Sequence, residues 1–561
     1  MPSTSSERFV GRDREISRLA VALEAAADGA GRRLIVDGVG GVGVSRLMDE
    51  AVRRVGRLAE PFSVVRCRAV AGLSSEPYAP IVDGLRPFLA SLDDPELRRV
   101  VGPAVPTMIR LIPGLANRLG DGDRVTDTLA VGLDRRVTRT AEAVLGIVER
   151  AGERRPILLL LEDLHLADAA SRAVGVFLAR VPRLARACLV ATYGTDSLGR
   201  GHPFLSDLAA ISDAADPPER LTLGPLVRDE LAGLIAGVEG TRPTASLLLI
   251  VAERSGGIPL LAEEVLAARR ELSGVSPGTS LEALVAARLS RRSPDCNRVL
   301  RLLGTAELPV SPDELAAADE ALTRIAGPRS PRRAVAARRT GANGSHDPGL
   351  RAGVDEAREA GFLAARDDGL LEVRHDLIAR AIVAGLLPDQ HRLHHEALAE
   401  ALVARPGAAA PHWLAAHETA RARAAFLAAA HAAAALDAPA DTLASLEIVM
   451  GLGEAPDGDP DAASRLLLLA ADHAVAAGRT GRGLAYLESA VEQLGEGVER
   501  SRLAGLHDRL GRVARALGDH DRALREHRRA VELMPREPTA QRARALASLA
   551  QTLMLLGQFS E

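Results

Sequence analysis

The segment RRLIVDGVGGVGVSRLMDEAVRRV (residues 32–55) places the tightest constraint on the fold. A short apolar strand, Leu34–Val36, runs into a loop carrying Gly38, Gly40, Gly41 and Gly43, and the loop runs into a helix. Such a loop is a nest of backbone N–H groups at a helix N-terminus, an arrangement that holds phosphate. The spacing is that of G-x-x-x-x-G-K-[ST], with Val44 at the lysine position and Ser45 at the hydroxyl position. The lysine normally sets a point charge on the outer phosphates, and the hydroxyl ligates Mg2+. Here the glycines and Ser45 remain and the charge is gone. Arg46 follows at once but projects from another side of the helix. A tight glycine turn between strand and helix is the alternative reading of the same residues.

A second element lies about 120 residues further on, in RRPILLLLEDLHLAD (154–168). A continuous apolar run of this length fits a strand buried on both faces, as in a parallel sheet. It ends in two acids, the position that handles Mg2+ and water in phosphoryl-transfer enzymes. Glu162 would hold Mg2+ through water, and Asp163 is the candidate base. ARACLVATYGTD (185–196) is another buried strand with a polar end. Strands alternating with helices predict a three-layer α/β domain with a parallel sheet over residues 1–235.

Beyond that domain the strand pattern stops. Residues 236–306 read as a small helical domain, with Gly256, Gly257 and Pro259 breaking two helices. Residues 307–390 are mixed, and LLEVRHDLIARAIVAGL reads as a short strand feeding a helix, consistent with a winged helix. Within them, the Pro-, Gly- and Arg-rich stretch 324–350 is expected to be a disordered loop. Residues 391–561 read as all helix and repeat internally. AAGRTGRGLAYLESAVEQL (476–494) aligns with ALGDHDRALREHRRAVELM (516–534), matching Gly478 to Gly518, Gly483 to Ala523 and Ala490 to Ala530. Small residues at fixed places let paired helices approach closely, which predicts a solenoid resembling tetratricopeptide repeats. The chain stops one helix into a repeat, so a longer protein is expected.

Composition narrows the functional classes. The net charge is −4 and aromatic residues make up 2% of the chain, which argues against a stacking platform for single-stranded nucleic acid. Lysine is absent, so all 70 cationic side chains are arginine. The three cysteines, Cys67, Cys188 and Cys296, are far apart and fit neither a disulfide framework nor a zinc spacing, as expected for a reducing cytoplasm. No segment reads as a membrane span. His394 and His395 are adjacent on a helix without a completing Cys or acid, and Trp413 is expected to be a packing residue.

Taken in order, FVGRDRE, GVGGVGVSRL, EPYAPIVDGLRP, LLLLEDLHLADAAS, LVATYGTD, HPF, LGPL, SGGIPLLAEEV and VRHDLIARAIV resemble the STAND-class, AAA-like ATPase module of the large ATP-binding LuxR-type transcriptional regulators of bacteria. The resemblance runs from residue 9 to 561. It implies an ATP/ADP switch in which the α/β domain, a helical lid and a winged helix close around nucleotide with Mg2+. It also implies that the helical repeats sense a small-molecule inducer or a partner protein, with self-association on opening and DNA bound through a further domain. Position by position, it places Arg12 near the adenine, Gly38 to Ser45 around the phosphates, and Glu162 and Asp163 at Mg2+ and water. Pro259 would line the adenine side, and His375 would approach the phosphates of ADP.

The departures bear on turnover. The family lysine is Val44, the family arginine after the Thr-Tyr pair is Gly194, and Leu166 and Ile258 stand for the usual Trp and Asn. Glu162-Asp163 replaces the usual pair of aspartates. Two cations that would face the outer phosphate are thus missing together, and single contacts of this kind are worth several kcal/mol of transition-state stabilisation. Binding through backbone N–H groups does not depend on side chains, so nucleotide is expected to be held and hydrolysis to be slow or lost. Two other readings remain open: a nucleotide-independent scaffold acting through its repeats, and an active ATPase that borrows an arginine from a neighbouring protomer.

Overall fold

The computed structural model describes residues 9–58, 60–120, 135–182, 184–271, 280–326, 347–364, 366, 368–453, 460–493 and 499–558. Residues before 126 and from 139 to 425 form one compact unit, and residues from 426 onward belong to a second.

The first unit is built on a five-stranded sheet of β1 (Arg32–Gly38), β2 (Ser63–Arg68), β3 (Ile157–Glu162), β4 (Ala187–Gly194) and β5 (Glu219–Leu223), in the order β2-β3-β4-β1-β5. Every pairing is parallel. The central strands are the apolar runs of the sequence, and all six residues of β3 are buried. The edge strands SVVRCR and ERLTL carry charge, because an edge strand keeps part of its surface in solvent.

Helices α1 (Asp13–Ala27) and α2 (Val44–Val55) cover one face, where Ile16, Leu19, Leu47 and Met48 pack on Leu34, Val36, Leu158, Leu160 and Val190. Each such side chain contributes about 1.5–3 kcal/mol on burial. Helix α3 (Ala79–Ser91) and helix Ala169–Arg180 cover the other face. A Cβ on Gly84 of α3 would lie 2.4 Å from Cys67 Sγ, and Arg33 donates to the Ala179 carbonyl at 2.8 Å. The domain therefore has three layers.

The lid is a helical cluster with its own core of Leu231, Leu234, Ile235, Val251, Val265, Leu266 and Leu284. Helix Arg228–Glu239 supplies three of these residues, so a division between 235 and 236 would cut a helix that belongs to the lid. Gly256 (φ 58°) and Gly257 (φ 80°) turn the chain between helices Ala245–Ser255 and Pro259–Glu271. The winged-helix-like segment contains helices Pro294–Ala306, Pro312–Ile325, Pro348–Glu359 and Asp376–Val383. Its strand-like part is reduced to isolated antiparallel bridges, Val310 with Leu371 and Leu363 with Val373.

Lid and winged-helix segment share a buried charge cluster. Arg288 and Glu264 are both inaccessible and pair at 2.6 Å, Arg374 also binds Glu264, and Arg288 stacks on Phe362 at 4.3 Å. Of the stretch 324–350, Arg324 and Ile325 end one helix and Pro348–Leu350 begin another, while residues 327–346 lie outside the described residues. A division at 390 falls inside helix Pro388–Ala401, which packs on helix Pro312–Ile325. Trp413 is buried beneath Arg421, whose guanidinium lies 4.8 Å from the ring centre.

In the second unit, helices Pro460–Ala476, Arg500–Ala516 and Ala540–Leu555 begin 40 residues apart, as do Thr480–Gln493 and His520–Leu533. Gly478, Gly518 and Gly557 end helices at φ 72°, 83° and 71°. Ala490, Ala523 and Ala530 are fully buried, so the repeat read from small residues is the repeat of the packing. Among the described residues, no helix is long and apolar enough to cross a membrane. The three cysteines are buried free thiols, and burial pushes each up to about 12.

Candidate functional site

The glycine loop leaves the carboxyl end of β1, where the register sets Gly38 beside Gly194 of β4. Gly41 (φ 78°) and Gly43 (φ 103°) occupy left-handed backbone that other residues avoid. A Cβ on Gly41 would also lie 2.8 Å from Leu260 Cβ. Among the described residues, the amides of Gly41, Gly43, Val44 and Ser45 find no acceptor within the protein. They are the free donors of the α2 N-terminus, aimed as an anion nest. Val44 turns its side chain onto the core of α1, α2 and β1, whereas Ser45 is exposed.

Three other segments meet this loop. From the α/β domain, Asp196 Oδ1 accepts the Gly40 amide at 3.0 Å. From the lid, the Leu260 amide donates to the Gly41 carbonyl at 3.2 Å, and Pro259 Cγ lies 4.0 Å from where a Gly43 Cβ would stand. From the winged-helix segment, Leu377 Cδ1 lies 3.2 Å from the Cβ position of Gly40. His375 caps helix Asp376–Val383, with Nδ1 accepting the Leu377 amide at 3.1 Å. Burial lowers the His375 imidazole below its usual range; Asp376 and Asp196 oppose this, and Arg374 and Arg68 add to it.

The two arginines named from the sequence act as braces. Arg12 (φ 64°) is buried and donates to the carbonyls of Val42 at 3.0 Å and Gly224 at 2.5 Å, tying the loop to the LGPL turn. Desolvation lowers its basicity, opposed by Glu15 and Glu230. Arg46 bonds Glu263 of the lid helix at 2.8 Å. Both guanidiniums are thereby committed to protein partners.

The acids at the end of β3 have different surroundings. The Glu162 side chain is 1% exposed, and both its oxygens accept from Arg66 of β2, through Nε and, at 3.0 Å, through Nη2. Arg66 also bonds Asp49 of α2 at 2.7 Å, one turn below Ser45. Asp163 sits in left-handed backbone (φ 55°), a strained conformation that structures keep where function fixes it. Its amide donates to Thr192 Oγ1 at 2.9 Å. Its carboxyl is pushed up to about 7 by burial first, with Glu162 and Asp376 adding and Arg68 and Arg66 opposing. A carboxyl near neutrality suits a general base. Beside it, His165 Nδ1 accepts the Gly194 amide at 3.3 Å, and burial lowers that imidazole to about 4.

The structure therefore gathers Gly40, Gly41, Gly43, Pro259 and the His375 segment at one place, with Glu162 and Asp163 at the end of β3, one strand beyond β4. The nest fits the phosphates of a nucleotide. A divalent metal held through Glu162 does not fit, because both oxygens of that carboxylate are occupied by a guanidinium. Sequence reasoning missed Arg66, Asp49, Asp196, Glu263 and Leu377. The available signal for Arg66 was an arginine interrupting the apolar alternation of SVVRCR.

Residues 8–190 match the AAA ATPase domain family. Among solved structures, the chain is similar to a signal-transduction ATPase with numerous domains and a tetratricopeptide-repeat sensor from Pyrococcus horikoshii, at 12% identity and a TM-score of 0.39, over 99% of this chain and 82% of that one. It is also similar to a Walker-type ATPase of Pyrococcus abyssi, at 14% identity and a TM-score of 0.31, over 68% of this chain and 98% of that one. No curated protein matches the chain. The chain thus carries, over residues 8–190, a domain that matches the AAA ATPase family, with a five-stranded parallel sheet, and a large helical region follows it.

Proposed function

We propose that this protein is a STAND-type signalling switch that holds ADP or ATP at the glycine loop and hydrolyses it slowly or not at all. The observation that carries this reading is the set of amides on Gly41, Gly43, Val44 and Ser45, which have no acceptor within the protein among the described residues and open at the N-terminus of α2. They supply phosphate recognition without a lysine. Val44 on the core and Gly194 against His165 leave the outer phosphate without the two cations that turnover needs. Lid and winged-helix residues packed on the loop support a closed resting form, with Pro259 and His375 lining the site. The helical repeats would bind the inducer or protein partner and shift the closed form toward an open one, to the extent that the ligand prefers the open state. Placement among LuxR-type transcriptional regulators, with DNA bound elsewhere in the protein, rests on the order of sequence motifs.

Titration of the full chain with fluorescent ADP and ATP tests the reading, with Gly43→Asp as control. That variant puts a side chain and a negative charge into left-handed backbone at the phosphate nest. Binding by the wild type that is lost in the variant supports the switch. A folded wild type that binds neither nucleotide supports the scaffold, in which the loop is architecture only.

A further inference from the structure

We propose that Arg66 is the resident cation of the nucleotide site, occupying the carboxylate that would otherwise anchor a divalent metal, so that the chain binds a nucleoside diphosphate independently of Mg2+. The inference rests on the nucleotide reading above and concerns how that same site balances its charge.

Three observations converge on it. Glu162 is the strand-end acid that would anchor a metal through water, and its side chain is 1% exposed. A buried carboxylate needs a cation or several donors, and this one has a guanidinium fork covering both oxygens. The same guanidinium reaches Asp49 at 2.7 Å, on the helix whose first turn carries Ser45. Arg66 thus joins the strand-end acid of β3 to the helix that follows the glycine loop. An arginine cannot lose its charge at physiological pH, so deprotonation does not release Glu162 from the pair. A metal ion entering there would have to displace a bidentate ion pair and face the released positive charge.

The experiment compares ADP affinity of the full chain in Mg2+ and in EDTA, and measures protein-bound Mn2+ by water-proton relaxation with ADP present. The expected result for the wild type is a dissociation constant that changes by less than about twofold between the two conditions, with no relaxation enhancement above that of Mn2+ and ADP alone. Arg66→Gln releases the Glu162 carboxylate, and ADP binding is then expected to tighten about tenfold with Mg2+ and to gain the Mn2+ signal. The wild-type comparison stands whether or not that variant folds. ADP binding by the wild type only when Mg2+ is present overturns the proposal and leaves the nucleotide reading intact. Absence of ADP binding in both conditions overturns the nucleotide reading and this proposal with it.

Discussion

The amide of Gly40 donates to Oδ1 of Asp196 at 3.0 Å, so a carboxylate sits at the mouth of the glycine loop. Asp196 follows the end of β4 at Gly194, and its own charge is of the sign that repels a terminal phosphate. Asp196→Asn keeps an acceptor for Gly40 and removes that charge. ATP has one more phosphate at the mouth than ADP, so ATP affinity should rise more than ADP affinity. The side chain is exposed, which limits the repulsion to about 1 kcal/mol, or about fivefold in the ATP-to-ADP ratio. Competition titration of the two nucleotides against a fluorescent analogue measures the ratio directly.

Glu264 ties the lid to the winged-helix segment. It is inaccessible, and it accepts from Arg288, also inaccessible, and from Arg374. Both arginines help to hold Glu264 ionised against its burial. Glu264→Ala leaves Arg288 buried without its main counter-charge and should cost about 3–5 kcal/mol. Glu263→Ala removes contacts to Arg46, which keeps part of its solvation, and to Arg374 at 3.7 Å, which keeps Glu264, and should cost less, about 1–2 kcal/mol. Thermal unfolding of the two variants side by side checks the difference.

What the sequence made legible was the part written in local pattern. The glycine loop, the apolar runs that became β1, β3 and β4, and the repeat marked by Gly478, Gly518 and Gly557 all depend on neighbours in the chain. The edge strands SVVRCR and ERLTL were not legible, because their charged residues break the apolar signature and only pairing with β3 and β1 makes them strands. The site divides in the same way. The glycines and the acids at the end of β3 could be named from motifs, but the pairing of Glu162 with Arg66, 96 residues away, is a tertiary event. So is the packing of Val44 against the core of α1, α2 and β1. Helices Arg228–Glu239 and Pro388–Ala401 run through positions 235 and 390, and which side of a division a helix packs on is again a tertiary matter.

Asp163 should make stability depend on pH in the sense opposite to most carboxylates. Its carboxyl is pushed up to about 7 from an ordinary value of 3.8. The folded chain therefore retains a proton that the unfolded chain releases, and the stabilisation fully present below pH 3.8 is lost as pH rises to about 7. Above that the buried charge costs no more than about 4 kcal/mol. Asp163→Asn carries no charge at any pH. Its melting temperature should exceed that of the wild type at pH 8, and the advantage should vanish toward pH 4. Melting curves across that range decide the matter, and an advantage independent of pH would show that Asp163 is not the titrating group.

Two glycines of one repeat helix, Thr480–Gln493, should respond in opposite directions to the same change. At Gly483 an added Cβ would stand 2.6 Å from Val475 Cγ2 and 3.1 Å from the Ala471 carbonyl oxygen, both on the preceding helix. Val475 can rotate, but the carbonyl belongs to a packed backbone, so Gly483→Ala should push the two helices apart at a cost of about 1–3 kcal/mol. At Gly481 the same Cβ meets nothing within 4 Å, and the backbone there is not left-handed. Gly481→Ala should stabilise by about 0.5–1 kcal/mol, because alanine gives up less conformational freedom on entering a helix. Denaturant unfolding of the full chain, followed by far-ultraviolet circular dichroism, separates the two effects. Equal shifts in one direction would mean that these helices are not packed through Gly483, and that the repeat of small residues has another cause.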